Sequence, residues 1–109
     1  MRDTSGLTGA AERFADRLRA APQSRLQRGA AAEGLALARE LATRAQRVEF
    51  PDREPAELPD AGVFVVADQL TVAAADLAEA LRTAPAGAPE GDLDEAVRLV
   101  REAEARSGL

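Results

Sequence analysis

The sequence predicts an all-α fold, a small four-helix bundle in which a long second helix and the third helix form an antiparallel core. Three observations carry that expectation. Apolar side chains recur every three or four residues through four separate stretches, the rhythm of one helix face. All six prolines fall between those stretches. Of 109 residues, 26 are alanine, whose small side chain lets helix axes approach toward the lower end of the usual ~8–10 Å range.

The first helix is expected over about 8–21. Leu7, Ala11, Phe14 and Leu18 form its apolar stripe, Thr8 is a suitable N-cap, and Pro22 ends it. The second is expected over about 24–48. Leu26, Ala30, Gly34, Leu37, Leu41, Ala45 and Val48 share one face, which Ala31, Leu35, Ala38 and Ala42 widen to about 160°. An arc that wide suits a helix touching two neighbours, and about 36 Å of length makes it the central element. Gly29 and Gly34 each cost about 1 kcal/mol against alanine in a helix interior. Gly34 lies within the apolar face, where close approach of another helix accounts for it; Gly29 lies outside that face.

Residues 50–59 carry three prolines and read as a loop, anchored to the core by Phe50 and Leu58. Asp60 then serves as N-cap for a third helix over about 61–83, with Val63, Val66, Leu70, Ala73, Leu77 and Leu81 inward. A strand at 63–66 is the local alternative, since valines cluster there. Residues 84–91 form a linker. Asp92 and Glu95 make a capping-box-like start to a fourth helix over about 93–107. Its inner face is Leu93, Ala96, Val97, Val100 and Ala103. Asp94–Arg98, Arg98–Glu102 and Glu102–Arg106 are spaced as i,i+4 pairs, and Gly108 can close the helix.

The composition closes off most catalytic chemistry. The chain has no His, Cys, Lys, Tyr, Trp, Asn or Ile, hence no imidazole base, thiolate nucleophile or Schiff-base amine. Ser5, Ser24 and Ser107 have no neighbouring base and fall at helix ends, where capping explains them. No glycine-rich phosphate loop is present and no cofactor is implied. Beyond alanine only 24 apolar side chains remain, a thin core. No apolar run approaches the ~20 residues of a membrane span, and no secretory signal is visible. The expectation is a soluble, cytoplasmic protein that binds neither membrane nor nucleic acid. Its net charge of −5 is unevenly spread: nine Arg against five acids in residues 1–47, five Arg against fourteen acids in residues 48–109. Arg25, Arg28, Arg39 and Arg47 mark the outer face of the second helix and read as a solvated surface.

Two groups of residues remain as site candidates. Asp68, Asp76 and Glu79 fall within about 80° of one another on the third helix, and carboxylate oxygens suit a hard cation such as Mg²⁺. With Glu54 and Glu57 they spell E-x-x-E, eighteen residues, D-x-x-E. That spacing distantly resembles the acidic signature of all-helical MazG-type nucleotide pyrophosphohydrolases, a resemblance that implies Mg²⁺-dependent hydrolysis. The chain departs from it by placing the first pair in a loop among Pro51, Pro55 and Pro59 instead of on a helix, by the order of the second pair, and by having no Lys. In length and helicity the chain is also similar to small secretion substrates of the WXG type, without their W-x-G turn.

The other group is apolar. Phe64, Val65 and Val72 lie outside the core arc of the third helix and would make its start apolar all round. Either they meet a dimer or partner surface, or the 50–59 loop or a terminus folds over them. The expected function is a non-catalytic interaction module, a regulatory or adaptor protein docking another protein or itself, with the homodimer slightly favoured. The alternative is a metal-dependent nucleotide or phosphoester hydrolase using the third-helix carboxylates.

Overall fold

The computed structural model describes residues 3–84 and 91–109; most of the 84–91 linker lies outside them. Polar residues start the first helix earlier than Thr8. Asp3 Oδ1 accepts from the Ser5 amide (3.0 Å) and hydroxyl (2.7 Å), and α1 runs Ser5–Ala20. These bonds from Ser5 hold the Asp3 carboxyl below its usual pKa and place a negative charge at the positive end of the helix dipole. Thr8 lies inside the helix, its hydroxyl donating to the Ser5 carbonyl. Leu7, Ala11, Phe14 and Leu18 are all buried, as their spacing predicts.

The second helix is not continuous over 24–48. After Pro22, a single turn (Gln23–Arg25) leads into a π-turn (Leu26–Ala30), and regular α2 spans Ala31–Glu49. The break sits at Gly29, whose φ of 149° a side-chain-bearing residue rarely adopts. This accounts for the glycine that the apolar face left unexplained. Gly34 is where the spacing implied close packing: a Cβ there would lie 2.7 Å from Val66 Cγ1 and 3.1 Å from Leu18 Cδ1.

Sixteen residues separate Glu49 from Val66, and they run back along α2. The Gln46 amide pairs with both backbone polar groups of Ala56 (2.8 and 2.9 Å). Farther back, Arg39 Nε donates to the Leu58 carbonyl (2.8 Å), and Gln69 Nε2 donates to that of Pro59 (2.9 Å). Side chains thus satisfy a proline-rich strand of chain that cannot make its own ladder. Leu58 packs partly buried against the core. Phe50 does not anchor there: it is 45% exposed and lies beneath the Arg53 guanidinium, 4.8 Å from its ring centre.

The third helix also begins later than predicted. Asp60 Oδ1 accepts from the Gly62 amide, Gly62 takes φ 100°, and the Val65 amide closes a turn on the Gly62 carbonyl. That left-handed residue delays α3 to Val66–Arg82, and 63–65 form a turn, not a strand. Its predicted core residues from Val66 onward are buried. The last helix, α4, spans Gly91–Arg106, so Asp92 lies in its first turn instead of capping it. Gly108 follows with φ 73°.

The helix directions follow from these contacts. Val66 opens α3 opposite Gly34 near the start of α2, while Leu77 and Leu81 lie beside Arg44, Arg47 and Val48 near its end. α2 and α3 therefore run parallel. The expected antiparallel core is overturned, because the return segment is extended: at about 3.3 Å per residue it easily spans the ~28 Å of α2. α1 opposes α3, with Arg19 at Asp68 and Thr4 beside Glu79 and Arg82. α4 opposes α2 through Arg44–Glu95 and Arg106–Glu33, and lies parallel to α1 through Arg17–Glu104. The result is an up–down–down–up four-helix bundle with one long crossover. Its most extensive helix contact is α2 on α3. Phe14, Leu7, Leu41, Leu70, Leu77 and Val100 are the largest fully buried side chains. No helix among the described residues is long and apolar enough to cross a membrane.

Candidate functional site

The returning crossover and α3 together frame a shallow groove. Leu58 and Ala42 form one wall; Val65, Asp68, Gln69, Val72, Ala73 and Asp76 form the rest, around about 240 Å³. Its position is a consequence of the parallel arrangement. Arg39 and Gln69 hold the crossover at Leu58 and Pro59, so the loop flanks α3 without covering it. Val65 stays 39% exposed, Val72 59% and Phe64 70%. The loop reaches these apolar residues at one edge only. Phe64 and Val65 precede α3, and Val65 and Val72 line the groove.

The groove is unusual in its polar groups. Asp68 Oδ1 accepts from Arg19 Nη2 (2.8 Å), a contact reaching it from α1. Asp76 has no ion-pair partner within 4 Å among the described residues. The Oε1 of Gln69 is buried with no hydrogen-bond partner, while its amide nitrogen is held by Pro59. A buried acceptor left open costs free energy until a donor reaches it.

The three carboxylates singled out on the third helix do not form one site. Asp68 is engaged by Arg19, Glu79 by Arg82 one turn on, and Asp76 faces the groove. Glu57 lies on the crossover against Arg39 (3.5 Å). Among the described residues, no group of three or more acidic side chains is placed to hold a metal ion.

Elsewhere the charged side chains serve as ties between helices. Arg44 is the most enclosed of the ion-paired arginines. Desolvation lowers its pKa, but hydrogen bonds to Glu95 and Glu40 outweigh this and raise it overall. The same contact, first by hydrogen bond and then by charge, holds Glu95 below the usual glutamate range. Glu95 is thereby turned to α2 instead of back toward the amide of Asp92. Within α4, Arg98 contacts Glu95 and Glu102, whereas Arg106 leaves Glu102 for Glu33. Two arginines of the second helix's outer face are likewise part of the scaffold, Arg25 donating to the Gly108 carbonyl and Arg39 to that of Leu58, while Arg28 and Arg47 stay exposed. A second recess of about 270 Å³ lies between Val48, Leu77 and Leu81, with Arg44 and Arg47 on its wall. Its main cation, Arg44, is already committed to two carboxylates.

Phe64, Val65 and Val72 were legible from their positions off the core arc. Leu58, Ala42 and Gln69 were not, because their part depends on the crossover running back along α2. The one available signal was a leucine set among prolines in P-A-E-L-P. No protein-family model, no curated protein and no solved structure matches the chain.

Proposed function

We propose that this chain is a small, non-catalytic helical interaction module that docks another protein on the outer face of α3. The carrying observation is an apolar strip, Phe64, Val65 and Val72, left exposed beside a groove at the crossover of a bundle whose other large apolar side chains are mostly buried. Large exposed apolar side chains grouped in this way mark contact surfaces more often than scattered single ones do. A composition without His, Cys or Lys supports binding over group-transfer chemistry.

The test compares wild type with a Phe64→Ser/Val65→Ser/Val72→Ser variant, first checked for folding by far-UV circular dichroism. Both are captured from the native host, and both are weighed in solution by chromatography with light scattering. The variant should fold and lose the defined partner or the oligomeric mass of wild type. A folded variant that keeps every partner and its native mass contradicts the proposal.

A further inference from the structure

The groove's own chemistry specifies its occupant further, and the inference rests on the docking reading above. Its floor and walls are apolar, from Ala42, Leu58, Val65, Val72 and Ala73. Its polar side chains are Gln69 and two carboxylates, Asp68, whose Oδ1 is held by Arg19, and Asp76, which has no ion-pair partner among the described residues. The carboxylates only accept hydrogen bonds, and the only donor among the lining side chains, Gln69 Nε2, is spent on Pro59. A complementary occupant must bring apolar side chains together with cationic donors.

Its size and shape narrow the class. At about 240 Å³ the groove is smaller than the ~300–1,000 Å³ typical of small-molecule sites. Val65, Asp68, Gln69, Val72 and Asp76 follow one stripe at helical spacing, about 16 Å long at 1.5 Å per residue. That length matches about three turns of a helix laid alongside, whose apolar stripe would sit on the valines while long cationic side chains reach the flanking carboxylates. A second copy of this chain fits poorly. Two-fold pairing through this face would bring the unpaired Asp76 of both copies into one apolar contact, with no cation among the lining residues to offset either.

We infer that the groove between the crossover and α3 receives a basic amphipathic helix of another protein. Its cations pair first with Asp76, the lining carboxylate that no described arginine holds, and its apolar face covers Val65 and Val72. Because the groove is a small part of the ~800 Å² per partner in a standard interface, binding through it alone is weak and salt-sensitive.

The probe is a synthetic Leu/Lys amphipathic helix of about 18 residues, five helical turns, carrying one tryptophan. The protein has no Trp or Tyr, so the fluorescence belongs to the peptide. Saturable binding is expected, weakening several-fold as the Debye length falls from about 30 Å at 0.01 M salt to about 8 Å at 0.15 M. Asp76→Asn should weaken it about two- to fivefold, and Val72→Ser about tenfold. A peptide with Glu in place of Lys, and one of the same composition with scrambled periodicity, should not bind.

Four results overturn the inference: no binding of the Lys peptide; binding indifferent to both substitutions; equal binding of the Glu peptide; or a wild-type dimer that Val72→Ser dissociates, which gives the groove to a second copy. Failure here is separable from failure of the docking reading. If the peptide does not bind but the triple serine variant still loses its captured partner, only the cationic helix is wrong. If the triple variant retains its partner, both are.

Discussion

Replacing Gly34 with alanine would place a methyl carbon 2.7 Å from Val66 Cγ1 and 3.1 Å from Leu18 Cδ1. Carbon atoms pack best at about 3.5–4.0 Å, so the neighbours must give by roughly 1 Å. Val66 is poorly placed to do so: it is β-branched, with restricted χ1, and 3% exposed at the first turn of α3. Forcing an extra carbon into such a contact costs about 1–3 kcal/mol. Against this stands the helix preference for alanine over glycine, about 1 kcal/mol. The net expectation is a loss of up to about 2 kcal/mol, which lowers the melting temperature by about 4–8 °C for each kcal/mol in a domain of this size. Gly9→Ala is the control. It lies inside α1, and its nearest neighbour is the guanidinium of Arg13 at 3.4 Å, the mobile end of an exposed side chain. The same chemical change there should stabilise by up to about 1 kcal/mol. Thermal and urea unfolding followed by far-UV circular dichroism reads both variants. In a Val66→Ala background, Gly34→Ala should cost less than in wild type. If Gly34→Ala stabilises as much as Gly9→Ala, α2 and α3 do not meet at this point, and their parallel alignment is refuted.

Gly29→Ala should destabilise by about 1–3 kcal/mol through backbone strain alone, since a Cβ there meets nothing within 4 Å and only its φ of 149° opposes the change; an unchanged urea midpoint would count against the break at Gly29. The carboxyls of Glu95 and Asp3 have folded pKa values below their ordinary ones. Their contribution is therefore present above the unfolded pKa and is lost as pH falls through the folded value. Stability should drop on acidification below the carboxylate range, less steeply in Glu95→Gln. With no His, Cys, Lys or Tyr, no side chain titrates between about pH 6 and pH 11, so in protein with its α-amino group acetylated the unfolding midpoint should stay flat from pH 6 to pH 9; a step in that window would contradict this.

The helical faces were readable because burial imposes a 3.6-residue period on them. Leu7, Phe14, Leu41, Leu70, Leu77 and Val100 are the core their spacing predicts. Even the glycine within the apolar arc, Gly34, marks a close helix approach. What periodicity could not supply was direction. A stripe of leucines looks the same whichever way the helix points, and treating 50–59 as an ordinary connection implied antiparallel neighbours. The decisive contacts lie off the stripes, in Gln46 at Ala56, Arg39 at Leu58 and Gln69 at Pro59. Helix ends were misplaced where a local hydrogen bond outcompeted the expected cap, as Asp3 did for Thr8, and Asp60 with Gly62 did for α3. The exposed valines of the groove were legible as misfits on the α3 wheel. The groove itself was not, because its second wall comes from the crossover.

The central claim, that the outer face of α3 is the working surface, is tested most directly by site-specific photo-crosslinking in the native host. A photoreactive p-benzoylphenylalanine replaces Val72 in one variant and Glu12, exposed on α1, in another. The account predicts one discrete crosslinked species from position 72 that position 12 does not give. Crosslinking equal at the two positions, or none at 72 beside a discrete product at 12, would contradict it.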